Sequence, residues 1–420
     1  MSIVGIIAEF NPFHNGHKYI IEQAKELTGA TSVVIIMSGN YVQRGTPAIC
    51  DKYTRTRMAI ESGCDVVIEL PVVYSCGSAK YFAEGAVNLL NSLGCIDFIA
   101  FGSEHADIDY LSKISNILYS EPDYFKERLN HYLKNGFSYP YSRENALYDY
   151  LLSTDNDHNE DSFRNIMSSP NCILAIEYMC ALKKFNSNIK PIPIPRIAAS
   201  YHQLSIQDDI CSATALRHIM DNFDNIENYR NTMPHSVFQI IRNEYKQSLP
   251  IYEDDFSSVL GYSIIKNYDN LQDYYDFSLT FANRVRNLSD NFSSFTSFSS
   301  ELTTKNTTGT YVNRCLLHLL LGIRNSFVKR IMSEGYNFYI RVLGFNKNNN
   351  EILSKLKTHS TIPVITKISD SYDSLSITGK QLLDINISAD KLYRYIQNVK
   401  FGSKIKNEHQ QGLYIKRDGI

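Results

Sequence analysis

The stretch Glu9-Phe10-Asn11-Pro12-Phe13-His14-Asn15-Gly16-His17-Lys18 carries two imidazoles three residues apart, on either side of an Asn-Gly pair. It follows an apolar, β-branched run over Ser2–Phe10. It leads into a segment with helical spacing (Tyr19, Ile20, Ala24, Leu27) that stops at Gly29. A glycine-containing turn from the first strand to the first helix is where an open α/β sheet binds phosphate. The helix N-terminus there offers free N–H groups and a favourable dipole. His14 in the turn and His17 in the first helical turn can both reach one phosphoryl group. Donors so placed stabilise oxygens that gain charge during phosphoryl or nucleotidyl transfer. The competing reading is a plain turn with two solvent-facing histidines. Position, after a strand and opening a helix, favours the chemistry.

Positioning two imidazoles this way needs a sheet. Buried strands are expected at 2–10, 32–37 ("SVVIIM"), 65–71 ("DVVIELP") and 95–103 ("CIDFIAFGS"), separated by helices at 17–28, 52–61 and 78–93. Strands alternating with helices of this length predict βαβ units and a parallel sheet. Helices follow at 108–119, 121–134 and 143–152, then a polar loop over 153–162. Pro170 opens a helix over 168–185. The alternating prolines of "IKPIPIPRI" (189–197) place that segment at a sheet edge or outside the ladder. A further helix over 211–220 has Ser212 as its cap. Beyond it, helices are expected at 235–247, 256–267, 268–284 and 311–333, and short strands at 339–345 and 363–368. The fold class is therefore α/β: a Rossmann-like parallel-sheet domain over 1–220, then a mostly helical C-terminal region over 221–420.

Composition narrows the function classes. At 420 residues, 43% hydrophobic and 20% charged, the chain is an ordinary globular one with room for more than one domain. A net charge of −2 argues against coating nucleic acid by bulk charge, while leaving room for a local basic face. No apolar run reaches the ~18 residues of a membrane span, and the N-terminus reads as a strand rather than a signal peptide. Eight scattered cysteines without a C-x-x-C point to reduced thiols and a cytoplasmic location.

His14-Asn15-Gly16-His17 resembles the HxGH motif of the nucleotidyltransferase superfamily, whose members bind ATP over a Rossmann-like sheet and attack its α-phosphate. Most carry a second motif, S-S/T-x-x-[RK], at a helix start that holds the outer phosphates. Ser212-Ala213-Thr214-Ala215-Leu216-Arg217 fits it. Alone, that hexapeptide would be an ordinary capped helix. The blocks "GIIAEFNPFHNGHKY", "MSGNYVQRGTPAICDKYTRTRMAIESGCDVVIELP", "FGSE", "SPNCILAIEY" and "PIPRIAASYH" follow one another as in the bacterial tRNA(Met) cytidine acetate ligase family. Similarity covers most of 1–220 and continues weakly through "CLLHLLLGI" and "YIRVLGFN".

The resemblance implies an activity. Acetate is activated with ATP and Mg²⁺ to acetyl-adenylate, and the acetyl group passes to the exocyclic amine of the wobble cytidine of elongator tRNA(Met), giving N4-acetylcytidine. It also implies an ATP-binding segment of Ile7, Ala8, Glu9, Phe10, Asn11, Pro12, Phe13, His14, Asn15, Gly16, His17, Lys18, Tyr19 and Ile20, with His14 and His17 catalytic at the α-phosphate. Gly102, Asn171, Arg196, Ser212, Thr214 and Arg217 complete the ATP set. The loop "YVQRGTPAICDKYTRTR" (41–57) is expected to serve acetate or tRNA through Arg44, Lys52 and Arg55, since a small carboxylate and an RNA phosphate both need cations. The competing reading for Arg55 and Arg57 is a solvated helix face.

One segment departs from the family. Where a basic stretch is expected before "CLLHLLLGI", this chain has "TTKNTTGTYVNR" (303–314), with only Lys305 and Arg314 charged. Lys329, Arg330, Arg341, Lys400, Lys404, Lys406, Lys416 and Arg417 could form a basic face in its place. The rival readings are an adenylyltransferase acting on a phosphorylated metabolite and a non-catalytic RNA-binding protein.

Overall fold

The computed structural model describes residues 1–154, 159–196, 212–220 and 223–417. Its centre is a sheet of eight strands. Five run parallel: β1 (Ile3–Ala8), β2 (Ser32–Ser38), β3 (Val66–Leu70), β4 (Phe98–Ser103) and β5 (Lys190–Pro195). Three come from the second half of the chain: β6 (Ile340–Asn346), β7 (Val364–Ile365) and β8 (Tyr414–Lys416). The order is β8-β6-β3-β2-β1-β4-β5, with β7 beside β6, and β6 is antiparallel to β3. The strand order turns at β1, which pairs with β2 on one side and β4 on the other: Ile6 lies opposite Ile35 and Ala100. A crevice at the strand C-terminal ends is the ligand position of such a sheet.

All seven residues of β2 are buried, as expected of a central parallel strand covered on both faces. Its side chains alternate between two cores. Val34 and Ile36 join Ala83, Leu90, Ala175, Leu382 and Leu383. Val33, Ile35 and Met37 join Ile21, Ala24, Met58, Ala59, Ala215 and Leu216. Helices α1 (Asn15–Thr28), α2 (Lys52–Glu61) and α5 (Ala213–Ile219) thus cover one face. Helices α3 (Ala79–Ser92), α4 (Pro170–Lys184) and α7 (Ile377–Phe401) cover the other. A third, aromatic-rich cluster (Phe277, Phe281, Phe295, Phe298, Val312, Leu316) joins the intervening helices to α6 (Gly309–Leu321).

Several expectations need correction. The helix expected over 268–284 is a 3-10 turn, Tyr268–Asp273, then a separate helix Leu279–Leu288 capped by Ser278, whose hydroxyl accepts from the Phe281 N–H at 3.1 Å. The helix expected over 311–333 ends at Leu321, where Gly322 takes the left-handed conformation (φ 73°), and restarts at Asn325. The polar segment 153–162 is helical at both ends, to Thr154 and from Glu160, while 155–158 lies outside the described residues. The proline-rich segment is the edge strand β5, and residues 197–202, "IAASYH", lie outside the described residues. The seven described cysteines are free, with Cys211 outside the described residues. Among the described residues no helix is long and apolar enough to cross a membrane.

A buried ionic cluster ties the two halves of the chain together. Lys52 at the start of α2 has no exposed surface. Its Nζ lies 2.7 Å from Glu69 of β3, 2.5 Å from Asp390 of α7 and 3.1 Å from Glu408. Arg341 of β6 also bonds Glu408, and its Nη1 is 3.0 Å from Glu69 Oε2, a close ion pair rather than an aligned hydrogen bond. Two cations face three carboxylates. Burial, then the neighbouring Glu408, raises the Asp390 carboxyl, while Lys52 and Arg341 outweigh burial at Glu408 and hold it down at about 2.

Candidate active site

The turn after β1 is built by its own histidines. His14 is the N-cap of α1: its Nδ1 accepts the Gly16 N–H at 3.0 Å. His17 answers from the third helical position, its Nδ1 accepting the His14 N–H at 3.2 Å. This is a capping box made of two imidazoles. Its chemical consequence is a fixed tautomer. A backbone N–H can only donate, so each Nδ1 is an acceptor and each neutral ring carries its proton on Nε2. The rings stack, with centroids 3.8 Å apart at 26°. Phe10 and Phe13 pack against His17 at 4.9 and 5.5 Å. The result is a pair of aligned Nε2–H donors on an apolar floor.

Burial keeps both rings neutral. It lowers His14 to about 3, with Arg196 and Arg217 adding to the effect, and it also lowers His17, helped by His14 and Arg196. The linkage sign follows. Unfolded, His14 takes a proton below its ordinary 6.5, whereas folded it resists until about 3. Its contribution is fully present above 6.5 and is lost as pH falls towards 3. For His14 alone the loss is about 2 kcal/mol by about pH 5. Urea titrations of a His14→Asn variant should show a shallower decline over this window than the parent. Equal slopes would contradict the assignment.

The glycine of the motif has a steric reason. A Cβ on Gly16 would stand 2.9 Å from His14 Cε1 and 3.0 Å from its Nδ1. Gly16→Ala must therefore move the His14 ring off its cap. The expected result is a loss of at least about 10²-fold in turnover, comparable to losing one preorganised donor, with helix destabilisation of only about 1 kcal/mol. Turnover within a few-fold of the parent would show that the ring position is unimportant.

The second motif docks onto the first. Ser212 caps α5, accepting from the Ala215 N–H at 3.2 Å. Arg217 spends one Nη2–H on Thr214 Oγ1 (2.9 Å) and one Nη1–H on the Asn11 carbonyl (2.8 Å). Arg217 thus braces the Asn11–His14 turn as well as presenting a cation. Asn11 in turn accepts the Ile49 N–H through its side chain at 2.7 Å.

A cavity of about 650 Å³ gathers these elements at the turn in strand order, a size suited to a nucleotide. Ile7, Ala8, Glu9, Phe10, Asn11, His14, Gly16, His17, Tyr19, Ile20, Gly102, Asn171, Arg196, Ser212, Thr214, Arg217 and Arg44 all line it. Pro12, Phe13, Asn15 and Lys18 do not. Phe13 is fully buried beneath the rings, Asn15 donates to the Asn231 carbonyl, and Lys18 is exposed beside Glu22. A Cβ on Gly102 would meet Ile20 at 3.1 Å and Arg196 at 3.3 Å, so its missing side chain is what lets those two converge. Asn171 lies two residues after Ser169, the N-cap of α4. It donates to Glu104 at 2.5 Å, and Glu104 also accepts the Cys172 N–H, placing an acid at the start of α4.

Over residues 1–409 the chain matches the HIGH nucleotidyl transferase family. A tRNA(Met) cytidine acetate ligase of Acetivibrio thermocellus is 37% identical over 99% of this chain and 100% of its own length. Another, from Thermoanaerobacter sp. strain X514, is 38% identical over 94% of this chain and 95% of its own. The chain belongs to the tRNA(Met) cytidine acetate ligase family. Its fold agrees: the crystal structure of Thermotoga maritima TmcAL bound with alpha-thio ATP matches with a TM-score of 0.90 at 30% identity, covering 99% of this chain and 100% of that one. The apo form of the same protein gives 0.92.

Within this ligase-family chain, the basic loop 41–57 divides sharply. Arg44 reaches the cavity from a hairpin, Tyr41–Val42 paired with Thr46–Pro47. Lys52 and Arg55 do not, and their expected role with acetate or tRNA is corrected. Lys52 is the centre of the ionic cluster. Arg55 has no exposed surface and donates to the carbonyls of Cys50, Glu9, Ser38 and Gly39, so it stitches the loop to the strand ends. Arg341, proposed for a basic face, is likewise buried. Lys400 and Lys416 pair with Asp255 and Glu61.

Thr310 at the start of α6 lines the cavity and was not legible in the sequence. It arrives because the hairpin packs on α6: Gly45 has φ 77°, and a Cβ there would stand 2.3 Å from the Arg314 nitrogen. Gln43 of the hairpin loop, Phe101 of β4, and Leu174 and Tyr178 of α4 also line the cavity. The glycine after Arg44 was the one visible signal.

Proposed function

We propose that this chain activates acetate with ATP to acetyl-adenylate and transfers the acetyl group to the wobble cytidine of elongator tRNA(Met), forming N4-acetylcytidine. The observation that carries the reading is the pair of imidazoles fixed by backbone N–H groups as Nε2–H donors, beside Arg196 and Arg217, in one cavity at the turn of the strand order. Donors already aimed where charge develops need no reorganisation during reaction. Acetate attacks the α-phosphorus, His14 and His17 hold its oxygens, and Arg217 with Ser212 and Thr214 holds the departing pyrophosphate. Arg44 is the cation placed to receive acetate or an RNA phosphate. A cytidine amine is a poor nucleophile, which accounts for a mixed anhydride as donor.

Mg²⁺ enters as the companion of the triphosphate. Among the described residues no group of three or more His, Cys, Asp or Glu side chains could hold a metal. The ion would be carried by phosphate oxygens and water. It would neutralise phosphate charge.

The reading is tested by incubating the protein with ATP, isotopically labelled acetate and elongator tRNA(Met), then analysing nucleosides by mass spectrometry. Label in N4-acetylcytidine, absent when ATP is omitted or the wobble base is uridine, is expected. ATP-dependent labelling of a phosphorylated metabolite in its place would favour the adenylyltransferase rival.

A further inference from the structure

The two half-reactions differ in their protons. When acetate attacks the α-phosphorus, a carboxylate oxygen replaces pyrophosphate and no proton moves. When the cytidine amine attacks the acetyl carbon, a C–N bond forms, the C–O bond to AMP breaks, the phosphate leaves with the electron pair, and one N4 proton must go to a base. The second step therefore needs a proton acceptor that the first does not.

The histidines cannot serve. Each Nε2 already bears its proton and each Nδ1 is engaged by a backbone N–H. Arg44, Arg196 and Arg217 have no lone pair to offer. Among the described residues that line the cavity, the one carboxylate is Glu9, one residue beyond the end of β1. Its Oε1 accepts the Gln43 N–H at 2.8 Å, which fixes the carboxylate against the hairpin that carries Arg44. Its backbone carbonyl is held by Arg55 at 2.7 Å, so the residue is anchored at both ends.

Given the acetyl-transfer reading above, we infer that Glu9 is the base that takes the N4 proton of the cytidine as the amide forms. The charges that face it are Arg217 from α5, Arg44 from the hairpin and Arg55 from α2, with Tyr178 of α4 and Cys76 also within its field. Burial raises the carboxyl above its usual range and the three guanidiniums oppose it. A carboxylate shifted upward is a better proton acceptor near neutral pH.

The test is Glu9→Gln, whose amide oxygen can still accept from Gln43. Two rates are measured: acetate-dependent ATP–pyrophosphate exchange, and single-turnover transfer from preformed enzyme-bound acetyl-adenylate to tRNA(Met). Transfer is expected to fall about 10²–10³-fold and exchange by less than about tenfold. Transfer within a few-fold of the parent, or equal loss in both rates, overturns the role. If the variant does not fold, the parent's two rates against pH decide: a fall in transfer on the acidic side that exchange does not share supports Glu9, and a transfer profile that is flat from about pH 5 upward or falls in step with exchange overturns it. Failure of the acetyl-transfer reading itself is distinct, because the unmodified protein would then show no acetate-dependent exchange.

Discussion

His17→Ala lowers acetate-dependent ATP–pyrophosphate exchange by about 10²–10³-fold, equivalent to about 3–4 kcal/mol of transition-state stabilisation, while the protein stays folded. Two losses combine in this variant. One Nε2–H donor disappears, and the cap on the His14 N–H goes with it. The capping loss costs about 1 kcal/mol of stability and lets the His14 ring drift. Circular dichroism and thermal melts report the structural part. His17→Glu separates the two effects, because an ionised carboxylate can accept the His14 N–H and restore the cap but has no proton to donate. Stability, but not exchange, is expected to return in His17→Glu. Recovery of both would mean that His17 acts only through the turn.

Lys52→Met destabilises the protein by about 3–5 kcal/mol, although Lys52 lies outside the cavity. The substitution leaves Glu69, Asp390 and Glu408 buried against Arg341 alone, and uncompensated buried charge is strongly unfavourable. The damage reaches the site. Asn40 donates to Asp390 at 2.8 Å and accepts the Lys52 N–H at 2.7 Å, and it leads directly into the Arg44 hairpin. Urea unfolding measures the loss. Combining Lys52→Met with Glu69→Gln should recover part of it, since neighbouring charges are coupled. A change below about 1 kcal/mol in the single variant would contradict the cluster's role.

The contrast between these two sites explains what the sequence could and could not reveal. His14 and His17 act through neighbours two and three residues away, and their strand and helix are strongly periodic, so their arrangement is readable locally. Lys52 and Arg55 sit three apart on a short helix rich in charge and read as a solvated basic face. The partners that bury Lys52 include Asp390, 338 residues away, and nothing local announces them. The same distance hid the sheet's completion. "YIRVLGF" was legible as a strand, but its antiparallel seat beside β3 is set by the cluster and by packing. Thr310 reached the cavity through a helix-on-hairpin contact that spacing does not encode. The nucleotide half of the site was local and legible, and the walls contributed from afar were not.

The central claim is acyl-adenylate chemistry in this cavity, and the most direct measurement is ATP–pyrophosphate exchange with the purified protein, run with acetate present and absent and with no RNA. Exchange is expected to require acetate and to fall by about 10²–10³-fold in His17→Ala. No exchange with acetate, or exchange that instead requires a phosphorylated metabolite, would contradict it.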